Sequence, residues 1–293
     1  MSIYNASGVL IQDPAKVSAI QSISVEYGRL TGSGYGASYY FCRIPRRTID
    51  GGQLRPKMAL TTLSGELATQ TSDNTSALGF AQRNPNAVLT LNASLFFTKG
   101  TRAGQPQGQT IIDGVSVTDV PMLDDMGTAI STDECYPLCI DANGDLSAPY
   151  ERLADGSTDE VATHTAEMIQ DGIMYACTGW GQFIEDYAKA DNSKYNEIVH
   201  AGKYIRQVIG QFQNGDWFTF TCDALKGSIT ANESGLTYDV IADFLISKGA
   251  KFAYALDGGG SAQTVIGQMP VNPIYEGAIG RPTPVVIYFE VAT

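Results

Sequence analysis

The chain has 293 residues, of which 43% are hydrophobic and 17% charged, a composition that argues against intrinsic disorder. Its formal net charge of −12 disfavours binding to a nucleic-acid duplex, which needs a continuous basic surface, but is compatible with a small anionic ligand in a local pocket. No apolar run approaches the ~20 residues of a membrane-spanning helix, so we expect no membrane insertion.

The first part of the chain is predicted to form short strands joined by tight turns. From residue 25 to residue 120, apolar and polar runs alternate between clusters of Gly, Pro, Asn and Asp, and helical periodicity is weak. Dipeptides in which Gly follows Asp or Asn suit two-residue hairpins, and they occur at residues 50–51, 113–114, 143–144, 171–172 and 214–215. The clearest is Asn214-Gly215, which separates two runs rich in β-branched and aromatic residues.

The middle of the chain is less regular. His164 lies in an alternating run before the turn at residues 171–172, a pattern that indicates a strand. Residues 183–190 are predicted to form a short helix followed by a polar loop. We interpret the whole segment 180–203 as a lid or an insertion.

A helix near the C-terminus is predicted together with both of its ends. Apolar residues recur at helical spacing between residues 237 and 248, with Asp and Lys on the other face. Thr237 suits the N-cap, and Gly249 suits the left-handed residue that follows the last turn. A buried strand is predicted at residues 252–256, so the segment from residue 217 onward forms strand, helix and strand, a crossover against one sheet.

Together these elements predict a mixed α/β or α+β fold. Its core is a twisted, mixed β-sheet with many hairpins, a few packing helices and one crossover helix near the C-terminus. Residues 48–293 are predicted to form the main domain, with residues 1–47 as an N-terminal extension of the same fold. No fixed-period repeat or long linker divides the chain.

The five cysteines are predicted to be free thiols, because they are scattered, odd in number and part of a chain too large to need disulfides. Cys135 and Cys139 lie close enough in sequence to share a zinc ion, but only His164 and His200 could complete its ligands. We therefore predict no metal site and no cofactor, although the sequence leaves a divalent metal open.

A glycine-rich loop directly after the predicted strand 252–256 is the main candidate site. Gly258, Gly259 and Gly260 lack Cβ atoms, so their backbone could approach a ligand closely and point several N–H groups at one anion. Asp257 and Ser261 flank them with a carboxylate and a hydroxyl. The alternative is a tight turn in which Gly supplies positive φ angles, and neither phosphate-loop motif fits the sequence.

Several segments around this loop form a recognisable set. They are Gly235-Leu236-Thr237, the helix after it, and the segment Ala255-Leu256-Asp257-Gly258-Gly259-Gly260-Ser261-Ala262, together with Arg206-Gln207-Val208-Ile209-Gly210, Leu91-Asn92-Ala93-Ser94-Leu95-Phe96-Phe97 and Arg281 before a closing strand at residues 284–289. In composition and order this set resembles the phosphodiester glycosidase family over residues 48–289.

The resemblance implies cleavage of a sugar-1-phosphodiester into free sugar and phosphomonoester. It implies substrate contacts from Asn92, Arg206, Gly258, Gly259, Gly260, Ser261 and Arg281, and a catalytic carboxylate at Asp257. Arg206 and Arg281 could clamp the phosphate, or each could belong to a structural ion pair. His164 is a second catalytic candidate, as a pocket acid–base, and its alternative is a half-buried strand histidine.

A different class of function stays open at this stage. The same fold could bind a phosphorylated glycan or nucleotide without cleaving it, or serve as a receptor-binding component of a phage particle. The expected partner is a small-molecule or glycan phosphodiester, and the oligomeric state is not predicted. Residues 1–12 lack a signal-peptide pattern, so we expect a cytoplasmic protein or a phage virion component.

Overall fold

A computed structural model describes residues 13–32, 35–120, 137–149, 158–190, 202–223 and 235–292. Within these ranges the chain forms 17 strands in three antiparallel sheets and four α-helices. The helices are α1 (Pro14–Ser22), α2 (Ala77–Arg83), α3 (Thr158–Gln170) and α4 (Tyr238–Ser247). The predicted fold class, a β-rich mixed fold with a few helices, is confirmed.

The largest sheet has seven strands and carries the candidate loop. With strands numbered in chain order, its spatial order is β1 (Ser24–Gly32), β2 (Tyr35–Ile44), β13 (Trp217–Cys222), β12 (Gln207–Phe212), β14 (Ala250–Ala255), β10 (Gly181–Glu185) and β11 (Ala188–Lys189). β2 is hydrogen-bonded to β13. The N-terminal strands therefore extend this sheet, while the division of the chain after residue 47 stays a prediction.

Two five-stranded sheets complete the architecture. The second sheet has the order β16 (Met269–Pro270), β15 (Thr264–Ile266), β4 (Leu89–Asn92), β17 (Val285–Val291) and β3 (Leu54–Leu60). The third has the order β6 (Val115–Asp119), β5 (Gln109–Ile112), β9 (Ile173–Cys177), β7 (Leu138–Asp141) and β8 (Leu146–Ser147).

Three of the five predicted hairpin turns are confirmed. Residues 113–114 join β5 to β6, residues 143–144 lie in the turn from β7 to β8, and residues 214–215 lie in the turn from β12 to β13. Residues 50–51 form a turn, but it joins β2 to β3, which belong to different sheets. The hairpin predicted at residues 171–172 is wrong, because this turn ends helix α3 and leads into β9.

The short helix predicted at residues 183–190 is also wrong, because this segment is the β10–β11 hairpin, in which Ile184 faces Lys189. Its two turn residues, Asp186 and Tyr187, have φ angles of 42° and 68°. That pair of positive φ angles forms a tight hairpin turn. Tyr is rare at such an angle, so the residue types at these two positions do not predict a tight turn.

The predicted crossover helix is confirmed as α4. Thr237 occupies its N-cap position, although its side chain makes no capping hydrogen bond, and Gly249 follows the helix with a φ of 88°. β13 and β14 are each antiparallel to β12, which lies between them, so they run parallel to each other. The helix joining them is therefore a crossover connection.

Both faces of the central strands of the seven-stranded sheet are buried. One face packs against the other two sheets in a core that includes Trp217, Tyr254 and Phe289. The opposite face packs against α4 through Ile241 and Leu245. β12 and β13 are buried along their whole length, which makes them the rigid centre of the sheet.

A buried polar cluster links this sheet to the second one. Gln207 on β12 donates to the hydroxyl of Thr264 on β15 at 2.9 Å and accepts from the hydroxyl of Thr221 on β13 at 2.8 Å. All three side chains are at most 1% exposed. Because an unpaired buried polar group is costly, this cluster favours one alignment of the two sheets.

The cysteine prediction is confirmed for Cys42, Cys139, Cys177 and Cys222, which are free and buried, while Cys135 and His200 lie outside the described residues. In the described ranges, no group of three or more His, Cys, Asp and Glu side chains is arranged to hold a metal ion. None of the described helices combines the length and apolarity needed to cross a membrane.

A substitution at Gly210, on the central strand β12, tests how tightly this strand is packed. A Cβ atom at this position would overlap the ring of Phe218 and the carbonyl oxygen of Phe252. We expect Gly210→Ala to lower the free energy of unfolding by about 3 kcal/mol in chemical denaturation. The control Gly249→Ala, at a positive φ with open space around it, should lower it by about 1 kcal/mol. Equal losses for the two variants would contradict the packing described.

Candidate active site

Three connections of the large sheet meet at one end of β14. The strand β14 ends at Ala255, which faces Gly181 at the start of β10 and Val208 near the start of β12. Because both neighbours are antiparallel to β14, the residue before β10, Trp180, and the residue before β12, Arg206, lie beside the residues that follow β14. This places Asp257 between an aromatic residue and an arginine.

A cavity of about 310 Å³ opens at this point. Its lining consists of Trp180, Tyr204, Ile205, Arg206, Asp257, Gly258 and Gly259. Four of the predicted site residues therefore share one cavity. The other predicted residues of the loop region, Asn92, Gly260, Ser261 and Arg281, lie behind this lining.

The loop after β14 crosses from the first sheet to the second, and Asn92 holds both of its ends. The Asn92 side chain donates to the carbonyl oxygen of Asp257 at 2.7 Å and accepts from the N–H of Gln263 at 3.0 Å. Asn92 is 1% exposed. Both hydrogen bonds are to backbone groups of the loop, so the Asn92 side chain positions the loop, and its contact with a substrate stays a prediction.

The three glycines serve the packing of the loop. A Cβ atom at Gly258 would overlap the carbonyl oxygen of Ile205, and one at Gly260 would overlap the side chains of Glu276 and Arg281, while Gly259 has a φ of 57°. The N–H groups of Asp257, Gly259 and Ser261 donate to backbone carbonyls at 3.0–3.1 Å, as in a tight turn, which leaves fewer N–H groups of the loop for an anion. Binding of an anion by this loop stays a prediction.

Among the described residues that line the cavity, Asp257 is the one carboxylate. Its environment favours the protonated form of the side chain. Burial raises the pKa of its carboxyl group to about 6, against the opposing effects of the Ser261 hydroxyl, the Arg281 charge and the Gly258 N–H. The charge of Glu276 adds to the rise. A carboxyl group with this pKa can accept or donate a proton near neutral pH.

Arg206 lies between two aromatic rings. Its guanidinium carbon is 4.7 Å from the ring centre of Tyr204 and 4.2 Å from that of Tyr238. One of its terminal N–H groups donates to the carbonyl oxygen of Gly202 at 2.9 Å. Although it lines the cavity, Arg206 is only 4% exposed, so its position is fixed by protein contacts.

Arg281 forms an ion pair with Glu276. Its Nε donates to Glu276 Oε2 at 2.8 Å, its Nη2 donates to Oε1, and its Nη1 donates to the Ser261 hydroxyl at 3.2 Å. The two N–H groups that would clamp a phosphate are thus engaged by a carboxylate. Of the two interpretations given for Arg281, the structure supports the ion pair.

His164 is not part of this cavity. It lies on helix α3 instead of the predicted strand, and this helix packs against the third sheet. The sequence also failed to indicate three residues of the site: Trp180, Tyr204 and Glu276. Trp180 and Tyr204 lie at the edges of the segment interpreted as a lid, and Glu276 had no signal beyond its spacing of five residues from Arg281.

The chain resembles known proteins in sequence and in fold. A sequence model described as phosphodiester glycosidase matches residues 85–290. The catalytic domain of zebrafish N-acetylglucosamine-1-phosphodiester alpha-N-acetylglucosaminidase, auto-inhibited by its pro-peptide, superposes with a TM-score of 0.64 and 16% identity over 92% of this chain and 83% of that one. No curated protein sequence matches the chain.

Two further solved structures share the fold. A hypothetical protein from Synechocystis has a TM-score of 0.60 and 11% identity over 93% of this chain and 62% of that one. A putative exported protein from Burkholderia pseudomallei has a TM-score of 0.52 and 13% identity over 87% of this chain and 74% of that one. At these identities the likeness shows the fold alone.

The raised pKa of Asp257 predicts a pH-dependent gain in stability for Asp257→Asn. The folded-state pKa of about 6 exceeds the ordinary value of 3.8, so the stabilising contribution of this group is complete below pH 3.8 and is lost as the pH rises through 6. We expect the variant to unfold roughly 2 °C above the wild type at pH 8 and at the same temperature at pH 3.5. The exposed control Asp243→Asn should show no such pH-dependent gain, and an equal gain at both pH values for Asp257→Asn would contradict the assignment.

Proposed function

Because the chain belongs to the phosphodiester glycosidase family, we propose that it hydrolyses a sugar-1-phosphodiester to a free sugar and a phosphomonoester. The match over residues 85–290 confirms the resemblance found in the motifs. One observation carries the proposal: Asp257, whose pKa is raised to about 6, lines a cavity beside Arg206 and two aromatic residues. This combination supplies a proton-exchanging group and a cation next to a surface that suits a sugar ring.

The size of the cavity limits what enters it. At about 310 Å³ it lies at the lower end of the roughly 300–1,000 Å³ typical of small-ligand pockets. It accommodates one sugar ring, and the group on the far side of the phosphate stays outside. Trp180 and Tyr204 then cover the apolar face of the ring, because aromatic side chains bury large areas against such surfaces.

Asp257 acts as the general base in the proposed reaction. Above pH 6 its carboxylate takes a proton from a water molecule, and the water oxygen forms a bond to the anomeric carbon. The bond from that carbon to the phosphate oxygen breaks, and its electron pair leaves with the phosphomonoester. Since a phosphate is a weakly basic leaving group, no strong general acid is required.

Arg206 stabilises the leaving group in this scheme. Its positive charge lies in the same cavity as Asp257, and the tyrosine rings on either side of it hold the guanidinium in place. A fixed cation near the place where negative charge develops lowers the barrier without reorganisation during the reaction.

A binder without catalysis is the second candidate. It is favoured by one observation: among the described residues of the cavity lining, Asp257 is the single carboxylate, whereas a retaining hydrolase needs a second one about 5 Å away. Such a protein would hold a phosphorylated glycan or nucleotide unchanged.

Product analysis distinguishes the two candidates. We expect the wild type to release free sugar and phosphomonoester from at least one member of a panel of sugar-1-phosphodiesters that includes cell-wall and nucleotide-linked sugars. Asp257→Asn should lose at least about 100-fold in kcat, and Asp243→Asn should keep wild-type activity. Calorimetric binding with no product from any compound would contradict hydrolysis and support the binder.

The aromatic wall makes a separate prediction. Replacing Trp180 by Ala removes the surface against which the ring is proposed to pack, so KM should rise about tenfold while kcat changes less. Trp180→Phe retains an aromatic face and should keep KM close to that of the wild type. Steady-state kinetics on the best substrate of the panel measures both, and a fall in kcat alone would argue against ring binding at this residue.

A further inference from the structure

We infer that Glu276 is a positioning residue of this site, which acts through Arg281 and Ser261 on the carboxyl group of Asp257. Its effect on catalysis rests on the proposed function, whereas the contacts that carry it can be tested without turnover. Neither the cavity lining nor the sequence motifs include Glu276.

The contacts form one continuous line. Glu276 accepts two hydrogen bonds from Arg281, through Nε and Nη2, and the remaining arm of the guanidinium, Nη1, donates to the Ser261 hydroxyl at 3.2 Å. Ser261 in turn hydrogen-bonds the carboxyl group of Asp257. Two oxygens of one carboxylate thus fix the orientation of the guanidinium that holds Ser261.

The ion pair lies directly against the loop. A Cβ atom at Gly260 would overlap both Glu276 and Arg281, so the pair packs on the bare backbone of this glycine. Ser261 is 2% exposed, so its hydroxyl has little freedom to turn away. Gly260 therefore makes room for the pair, a use that the sequence did not suggest.

The pair also controls the electrostatic environment of Asp257. Arg281 lowers the pKa of Asp257 and Glu276 raises it, while burial is the largest effect. Among the described residues, Arg206 lines the same cavity as this carboxyl group, and Tyr238 on helix α4 interacts with it electrostatically. Without Glu276, the charge of Arg281 would no longer be offset and would favour the ionised form of Asp257.

A carboxyl titration by NMR tests this inference. The pKa of Asp257 is followed by its ¹³C signal, which is assigned by its absence in Asp257→Asn. We expect Glu276→Gln to lower this pKa by about one unit, and Arg281→Met to raise it by about one unit. Glu276→Asp, which keeps the charge but shortens the side chain, should lie between Glu276→Gln and the wild type. The control Glu290→Gln, which removes the ion pair between Glu290 on β17 and Lys57 on β3, should leave the pKa unchanged.

The direction of the shifts decides between positioning and a structural role. If the pair only supported the fold, both variants would open the loop and move the pKa of Asp257 toward its ordinary value of 3.8, which would overturn the inference. An unchanged pKa in Glu276→Gln would overturn it as well. Opposite shifts, together with a matching shift of the acidic limb of kcat/KM, support it. If the two variants shift the pKa of Asp257 in opposite directions but the wild type cleaves none of the diesters, this inference stands and the proposed function is rejected.

Discussion

The side chain of Asn92 is the contact on which the site depends. The loop after β14 has to leave one sheet and enter another, and its two ends are joined by a single buried amide that bonds the carbonyl oxygen of Asp257 and the N–H of Gln263. The Gln207 cluster aligns the same two sheets a few residues away. With both ends held, the backbone of the loop at Asp257 cannot move without breaking buried hydrogen bonds.

This constraint explains why Asp257 combines a raised pKa with a fixed backbone position. A carboxyl group on a mobile loop would find water and keep an ordinary pKa, whereas Asp257 stays among protein atoms and titrates near pH 6. The cost in stability is confined to the ionised form. In functional sites, the surrounding structure commonly holds a group in a position or charge state that is unfavourable for local stability.

The sequence predicts the local features of the fold well and the long-range ones poorly. Helix α4 and the hairpin at residues 214–215 depend on neighbouring residues, and both were foreseen. The role of Asn92 depends on a partner that only the tertiary structure brings close, Asp257, which is 165 residues away. Arg281 pairs with Glu276, which is five residues away but belongs to no recognised motif. His164 lies on a helix because the buried residues beside it, Thr165 and Met168, recur at the three-residue spacing of a helix face and not at the two-residue spacing of a strand. The motifs located the candidate loop, and the tertiary contacts show which of its residues line the cavity.

The separate origins of the cavity walls have a consequence for how this fold could diversify. The carboxylate comes from the loop after β14, while Trp180 and Tyr204 come from two other connections, before β10 and before β12. Changes in those connections can reshape the cavity wall and leave Asp257 undisturbed. A scaffold of this kind permits new ligands to be selected in evolution without rebuilding its chemistry.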